Sequence, residues 1–179
     1  MEVVRLRECW CRLRSDVCAV FRLVMDSAWN DSNRERPDLA GGTKALVSEL
    51  CARDPHTLYL KIDEIVRRFA AEVRVSLSDL MERQSKDPNL AQDFVAAILD
   101  NYEKMCSAAA HLAPALADLD QRHLQRFSVT WDIAVKRVYQ DVVYSDTLVQ
   151  NNLPIFVSQV GLPLVTCCYW HYWRGHDCK

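Results

Sequence analysis

"RDPHTLYLKIDEIVRRFAAEVRVSLSDLMERQ", residues 53–84, carries the longest unbroken pattern in the chain. Leu58, Ile62, Ile65, Phe69, Val73, Leu77 and Leu80 recur at three- and four-residue steps, which places them on one face of a helix of roughly six turns. Asp54 can accept a hydrogen bond from the first turn, and Pro55 suits a position that needs no N–H. The spacing predicts a helix from about Pro55 to Arg83, buried along its stripe and acting as the structural backbone of the domain. Glu64, Glu72, Arg67 and Arg68 fall off the stripe and read as solvated charge.

On the N-terminal side, Leu6, Trp10, Leu13, Val17, Val20 and Val24 form a second helical stripe. "WNDSNRERPDLAGG", residues 29–42, interrupts it with polar residues, a proline and a glycine pair, the composition of a loop. A short helix follows over Thr43 to Ala52, with Leu46, Val47 and Leu50 inward. On the C-terminal side, Asp87 and Pro88 repeat the start signal of Asp54 and Pro55. The next helix holds Leu90, Phe94, Ile98, Met105, Ala109 and Leu112, while Val95, Leu99, Tyr102 and Cys106 widen its apolar face. A helix apolar on two sides belongs at the centre of a bundle.

"NYEKMCSAAAHLAPALADLDQRHLQR", residues 101–126, divides at Pro114. Proline removes a backbone donor and crowds the preceding turn, so a kink or break is expected near Ala110–Ala113. Tyr102 to Ala113 then serves the core, and Leu119 to Arg126 presents a partly exposed face. Phe127, Trp131, Val135, Val138 and Val142 continue at helical spacing. Ser145 or Asp146 can cap a last helix that contains Pro154 and stops at Gly161. These segments predict an all-α domain of six or seven helices over residues 1–161. The aromatic, cysteine-rich tail, residues 162–179, is expected to be irregular.

Composition narrows the function. Twenty-two Lys and Arg against 24 Asp and Glu argue against a general nucleic-acid binder, which carries a basic excess. Arginines interrupt the N-terminus where a signal peptide needs an apolar core, and no apolar run is long enough to span a bilayer. A cytoplasmic or nuclear protein is expected, with no membrane or small-molecule substrate. Cys9, Cys11, Cys18, Cys51 and Cys106 then read as free thiols.

No residue set here makes a convincing enzyme. Cys106 and His111 lie five apart on one helix and point about 140° away from each other, so a buried thiol and a boundary histidine are the stronger reading. Asp118 and Asp120 read as a solvated face, and Tyr139 and Tyr144 as packing or interface residues. Cys167, Cys168, His171, His176 and Cys178 have zinc-binding chemistry, but adjacent cysteines suit one tetrahedral ion poorly. A packed or frayed aromatic terminus is preferred, with no metal or other cofactor.

"ECWCRLRSDVCAVF", "ALVSELCARDPHTLYLKIDEIVRRFAAEV", "FVAAILDNYEKMCSAAAHLAPALADLDQRHLQR" and "FSVTWDIAVKRVYQDVV" occur in that order. Together they resemble the N-terminal cullin-repeat region of cullins, the scaffolds of multi-subunit ubiquitin ligases, over about Arg5 to Gly161. The resemblance implies a cullin repeat, hence a bundle of about five helices plus the start of a second repeat, and a non-catalytic scaffold that holds a BTB- or Skp-type protein adaptor. It implies the adaptor-facing end alone, or a truncated form of a longer protein. The chain departs from the pattern at Asp118, where an aromatic is usual, and at Gln121, where an arginine is common. The partner-binding residues expected on this basis are Lys44, Val47, Glu49, Leu119, Arg122, His123 and Arg126. The alternative is an unrelated helical bundle, an interaction or regulatory module whose groove takes a partner helix.

Overall fold

A computed structural model of the chain describes residues 2–25, 42–83 and 87–161. The expected loop over residues 29–41, the tail and its zinc-type residues lie outside the described residues. Among the described residues the fold is all-α, with seven α-helices: α1 (Glu2–Met25), α2 (Gly42–Arg53), α3 (Pro55–Arg83), α4 (Leu90–Leu112), α5 (Ala117–Arg122), α6 (Trp131–Tyr139) and α7 (Thr147–Val160). A 3-10 turn, Leu124–Phe127, joins α5 to α6, and a π-helical turn, Gln140–Tyr144, extends α6.

The helix boundaries follow from the signals in the chain. Asp54 accepts the backbone N–H of Thr57 at 3.0 Å and the Thr57 hydroxyl at 2.7 Å, so the start of α3 is capped twice. Asp87, expected to start α4 as Asp54 starts α3, does not cap it: it accepts from Asn89 N–H at 2.8 Å in a turn, Pro88 stays outside the helix, and α4 begins at Leu90 without a side-chain cap. Asp146 accepts from Leu148 N–H at 2.9 Å to open α7. Gly161, in the left-handed region at φ 66°, ends it as the spacing predicts. Pro154 sits inside α7 on its exposed side, where the carbonyl left without a helical donor can bond to water. At Pro114 the chain breaks rather than kinks: α4 runs intact to Leu112, and residues 113–116 turn the chain into α5.

Helix α4 is the centre of the bundle and packs against α1, α3, α6 and α7. Phe94, Val95, Ile98, Met105, Ala108, Ala109 and Leu112 are buried along it. Tyr102 and Cys106 are half-buried, and Leu99, expected on the same face, lies at its exposed edge. Two polar side chains tie α6 to this centre. Trp131 Nε1 donates to the Ala109 carbonyl at 3.0 Å, and the Tyr139 hydroxyl donates to the Ile98 carbonyl at 2.8 Å, both in buried surroundings. Each bond lets a large amphipathic ring be buried without an unsatisfied donor.

Two register shifts separate the expected stripes from the core. On α3 the buried set is Leu58, Ile62, Val66, Phe69, Ala70, Val73 and Leu77, whereas Ile65 and Leu80 are only half-buried. On α6 the expected step from Val138 to Val142 lengthens, and Val143 is the buried residue. There Ser145 N–H reaches the Gln140 carbonyl five residues back, at 3.0 Å, and the wider turn carries the buried position one residue further. A third expectation fails outright. Phe127, placed on the inward stripe, is 65% exposed, because the 3-10 turn and Ser128 at φ 54° swing it outward before α6 begins.

Among the described residues the expected start of a second repeat forms no separate unit. Val149 and Leu153 of α7 join the same apolar core as the other helices, with Phe156 edge-on to Phe94 at 5.3 Å. Asp120, expected in solvent, instead accepts the Trp131 backbone N–H at 3.1 Å and helps start α6. Thr43 Oγ1 donates to Asp16 Oδ2 at 2.8 Å and fastens α2 to α1.

Phe69→Asp and Val66→Asp each bury an unpaired charge and are expected to lower unfolding free energy by about 3 kcal/mol or more. Ile65→Asp, which can turn its carboxylate to water, should cost about 1 kcal/mol. Urea denaturation of the three variants checks the register of α3: equal losses at positions 65 and 66 would contradict it.

Candidate functional site

The first turns of α1 extend beyond the cover of the bundle. Leu13, Val17, Val20, Phe21 and Val24 are buried, while Leu6 and Trp10 on the same stripe are half-buried. Ile65 of α3 is left in the same state. Between α1 and α3 lies an open groove of about 510 Å³, lined by Leu6, Trp10, Leu13, Ile62 and Ile65 along its floor and by Arg7, Arg14, Lys61, Arg68 and Glu64 at its rim. Lys61 Nζ lies over the Trp10 ring, 4.4 Å from its centre. An exposed cation–π contact of this kind is worth about 0.5–1 kcal/mol, weak enough to be exchanged for another contact. Cys11 opens onto the same groove as an exposed free thiol.

A second surface lies where α3 begins and α5 ends. His56 Nδ1 and His123 Nε2 are 3.5 Å apart. Tyr59 and Phe127 pack around the His123 ring, at 5.7 and 5.3 Å between ring centres. His123 is 7% exposed, so burial, followed by repulsion from His56 and Arg126, holds its pKa below the ordinary 6.5, with Asp54 opposing. Among the described residues, no three His, Cys, Asp or Glu side chains converge as a metal site.

The residues expected to bind a partner are divided by the fold. Helices α2 and α5 do pack together, with Cys51 Sγ donating to the Asp118 carbonyl at 3.5 Å. Their apolar members serve that internal contact: Val47 and Leu119 are fully buried, and His123 is nearly so. Lys44, Arg122 and Arg126 are exposed, and Glu49 is half-buried within reach of Arg5 at 3.7 Å and Arg53 at 3.8 Å. The expected face therefore keeps its charges outside and its apolar anchors inside. Of the residues expected on inward stripes, Phe127 reaches the surface, and Trp10 and Ile65 are only half-buried. Sequence periodicity cannot tell a stripe that is covered from one that outruns its cover.

Cys106 and His111 form no nucleophile–base pair. His111 Nδ1 bonds to the Ser107 carbonyl at 2.7 Å. Burial pushes the Cys106 thiol up, away from the thiolate, despite its hydrogen bond with Tyr102. Tyr139, fully buried, packs edge-on between Tyr102 and Tyr144, both at 5.4 Å. No helix among the described residues is long and apolar enough to cross a membrane.

Comparison with known families corrects the expected kinship. The model of the FAM193A N-terminal domain matches residues 73–166, a little over half of the chain. No solved structure matches the chain. The match overturns the cullin resemblance, and with it the cullin repeat and the ubiquitin-ligase scaffold. The four quoted stretches are amphipathic helices with small residues at helix contacts, features that many bundles need and that specify no one family. The matched segment runs from the last part of α3 through α7, so the groove is built by residues that precede it.

A depressed histidine pKa means that the unfolded chain binds the proton more readily than the folded one. The contribution is therefore present above the unfolded value, about 6.5, and is lost as pH falls through the folded value. Urea-derived stability should decline as pH drops from about 7.5 to about 5.5, and the decline should be shallower in His123→Gln. Parallel pH profiles for wild type and variant would remove His123 as the cause.

Proposed function

The chain belongs to the FAM193A N-terminal domain family, and from that premise we propose that it is a non-catalytic protein-interaction module whose α1–α3 groove receives a helix of a partner protein. The observation that carries this reading is the groove itself: an open trough floored by half-buried Leu6, Trp10 and Ile65 on two adjacent helices. Two parallel ridges with an apolar trough between them are complementary to the apolar stripe of a third helix. Trp10 supplies the kind of anchor that interfaces favour, a large ring with a polar edge. The raised thiol of Cys106 and the structural bonds of Trp131 and Tyr139 support a non-enzymatic role, since they use this chain's reactive and aromatic groups for packing. A reducing setting, cytoplasmic or nuclear, belongs to the proposal, supported by the free thiols of Cys9, Cys11, Cys18, Cys51 and Cys106.

Fluorescein-labelled helical peptides with leucines at i, i+3, i+7 and i+10 and neutral flanks provide the test. Binding should weaken by about 2 kcal/mol in Trp10→Ala, as removal of an interface anchor does, with unchanged circular dichroism. Bound peptide should also slow alkylation of Cys11, read by mass spectrometry of the cysteine-containing fragment. Tight peptide binding that leaves Cys11 and the Trp10→Ala variant unaffected would place the interaction elsewhere.

A further inference from the structure

The rim of the groove carries a charge pattern that the chain as a whole does not. The protein has a formal net charge of −2, yet four cations and one anion line this trough. The cations stand in two rows of equal pitch. Arg7 and Arg14 lie seven residues apart on α1, and Lys61 and Arg68 lie seven apart on α3. Seven residues are two helical turns, or about 10.5 Å of rise. The spaces between them are filled by the apolar floor. Among the described residues Arg7 and Arg14 have no carboxylate partner, Lys61 rests on Trp10, and Arg68 reaches Glu72 only at 3.8 Å.

Resting on the groove reading above, we propose that the occupant is an acidic amphipathic helix with an apolar seam and carboxylates seven residues apart along both flanks. Such a helix sets its seam on Leu6, Trp10 and Ile65 while its flanking Asp or Glu residues meet the two cationic rows. The arrangement follows the logic of a helical seam edged by complementary charges, in which the seam gives affinity and the flanks choose the partner. Lys61 is the exchangeable element: its ammonium leaves the indole for an incoming carboxylate, and the freed ring face becomes part of the floor. A phosphate backbone would satisfy the cations but leave the aliphatic floor uncovered, so nucleic acid fits the charges alone.

The test uses the whole chain and three labelled helical peptides that share one leucine seam. Their flanks carry glutamate, glutamine or lysine at seven-residue spacing. The acidic peptide is expected to bind at least tenfold more tightly than the neutral one, and the basic peptide not measurably. That advantage should shrink as salt rises from about 50 to about 500 mM. The exposed double change Arg14→Glu, Arg68→Glu should reverse the order of acidic and basic peptides while keeping the helical circular-dichroism spectrum and a cooperative thermal unfolding. Equal binding of acidic and neutral peptides, each protecting Cys11, overturns the acidic partner and leaves the groove reading standing. Failure of all three peptides to bind overturns both. A single-stranded oligonucleotide that protects Cys11 and outcompetes the acidic peptide overturns the proposal in favour of a nucleic-acid surface.

Discussion

Helix α4 packs against four other helices, and that central placement constrains everything around it. A helix in that position must satisfy its own backbone and still offer neighbours something to hold. It does so by letting two of its carbonyls accept second hydrogen bonds. The Ala109 carbonyl accepts from Ala113 N–H and from Trp131 Nε1, and the Ile98 carbonyl accepts from the Tyr139 hydroxyl. The two bonds stand eleven residues apart on α4 and eight apart on α6, so they fix the relative placement of the two helices at both ends. Apolar packing alone is directionless, and these bonds supply the direction.

The π-helical turn after Tyr139 follows from the same arrangement. In a regular α-helix, residues five apart diverge by about 140°. The wider turn brings Tyr139 and Tyr144 back toward one face, where their rings meet edge-on at 5.4 Å. Burial pushes the Tyr144 hydroxyl pKa up to about 12, so the cluster stays neutral throughout the physiological range. The turn also delivers Val143 to the core and leaves Asp146 free to cap α7, which closes the bundle against α4.

Between α1 and α3 the same economy leaves a groove. Helix α1 is 24 residues long and α3 is 29, and their apolar stripes outrun the cover that the other helices supply. Further along the pair, Arg22 and Glu72 close the contact with two bonds of 2.7 and 2.8 Å, and the Arg22 guanidinium stacks on Phe69 at 4.8 Å. Near Trp10 the helices are bridged instead by a lysine lying on an indole. A bidentate ion pair resists opening more than a single exposed cation–π contact does, because it constrains two charged groups in one plane. One part of the α1–α3 pair is therefore held by a bidentate ion pair stacked on Phe69, and the other by a single cation–π contact beside the open groove.

The long helices were legible in the amino-acid sequence. Period 3.6 stripes, the Asp54-Pro55 and Asp146 caps, Pro114 and Gly161 mark the start of α3, the end of α4 and both ends of α7, because these are local properties of neighbouring residues; the starts of α4 and α6 were not so marked. The sequence by itself determined that α4 would be central, since only an interior helix needs two apolar sides. What the tertiary structure decided was which apolar residues are covered. Val66 and Val143 are inside while Ile65 and Val142 are partly out: the π turn carries the stripe of α6 one residue further, and on α3 the neighbouring helices cover Val66 more fully than Ile65. Leu119 became core when α5 packed onto α2, where Val47 is inward as its spacing predicts, and Phe127 became surface when the 3-10 turn swung it away. Kinship was not legible in the amphipathic helices either, since their pattern reports burial and is shared by unrelated bundles. The rows of Arg7, Arg14, Lys61 and Arg68 were present in the sequence as scattered charges. Only the packing of α1 beside α3 set them at matching pitch around an apolar floor, because charge pattern becomes a surface property when two distant segments are held side by side.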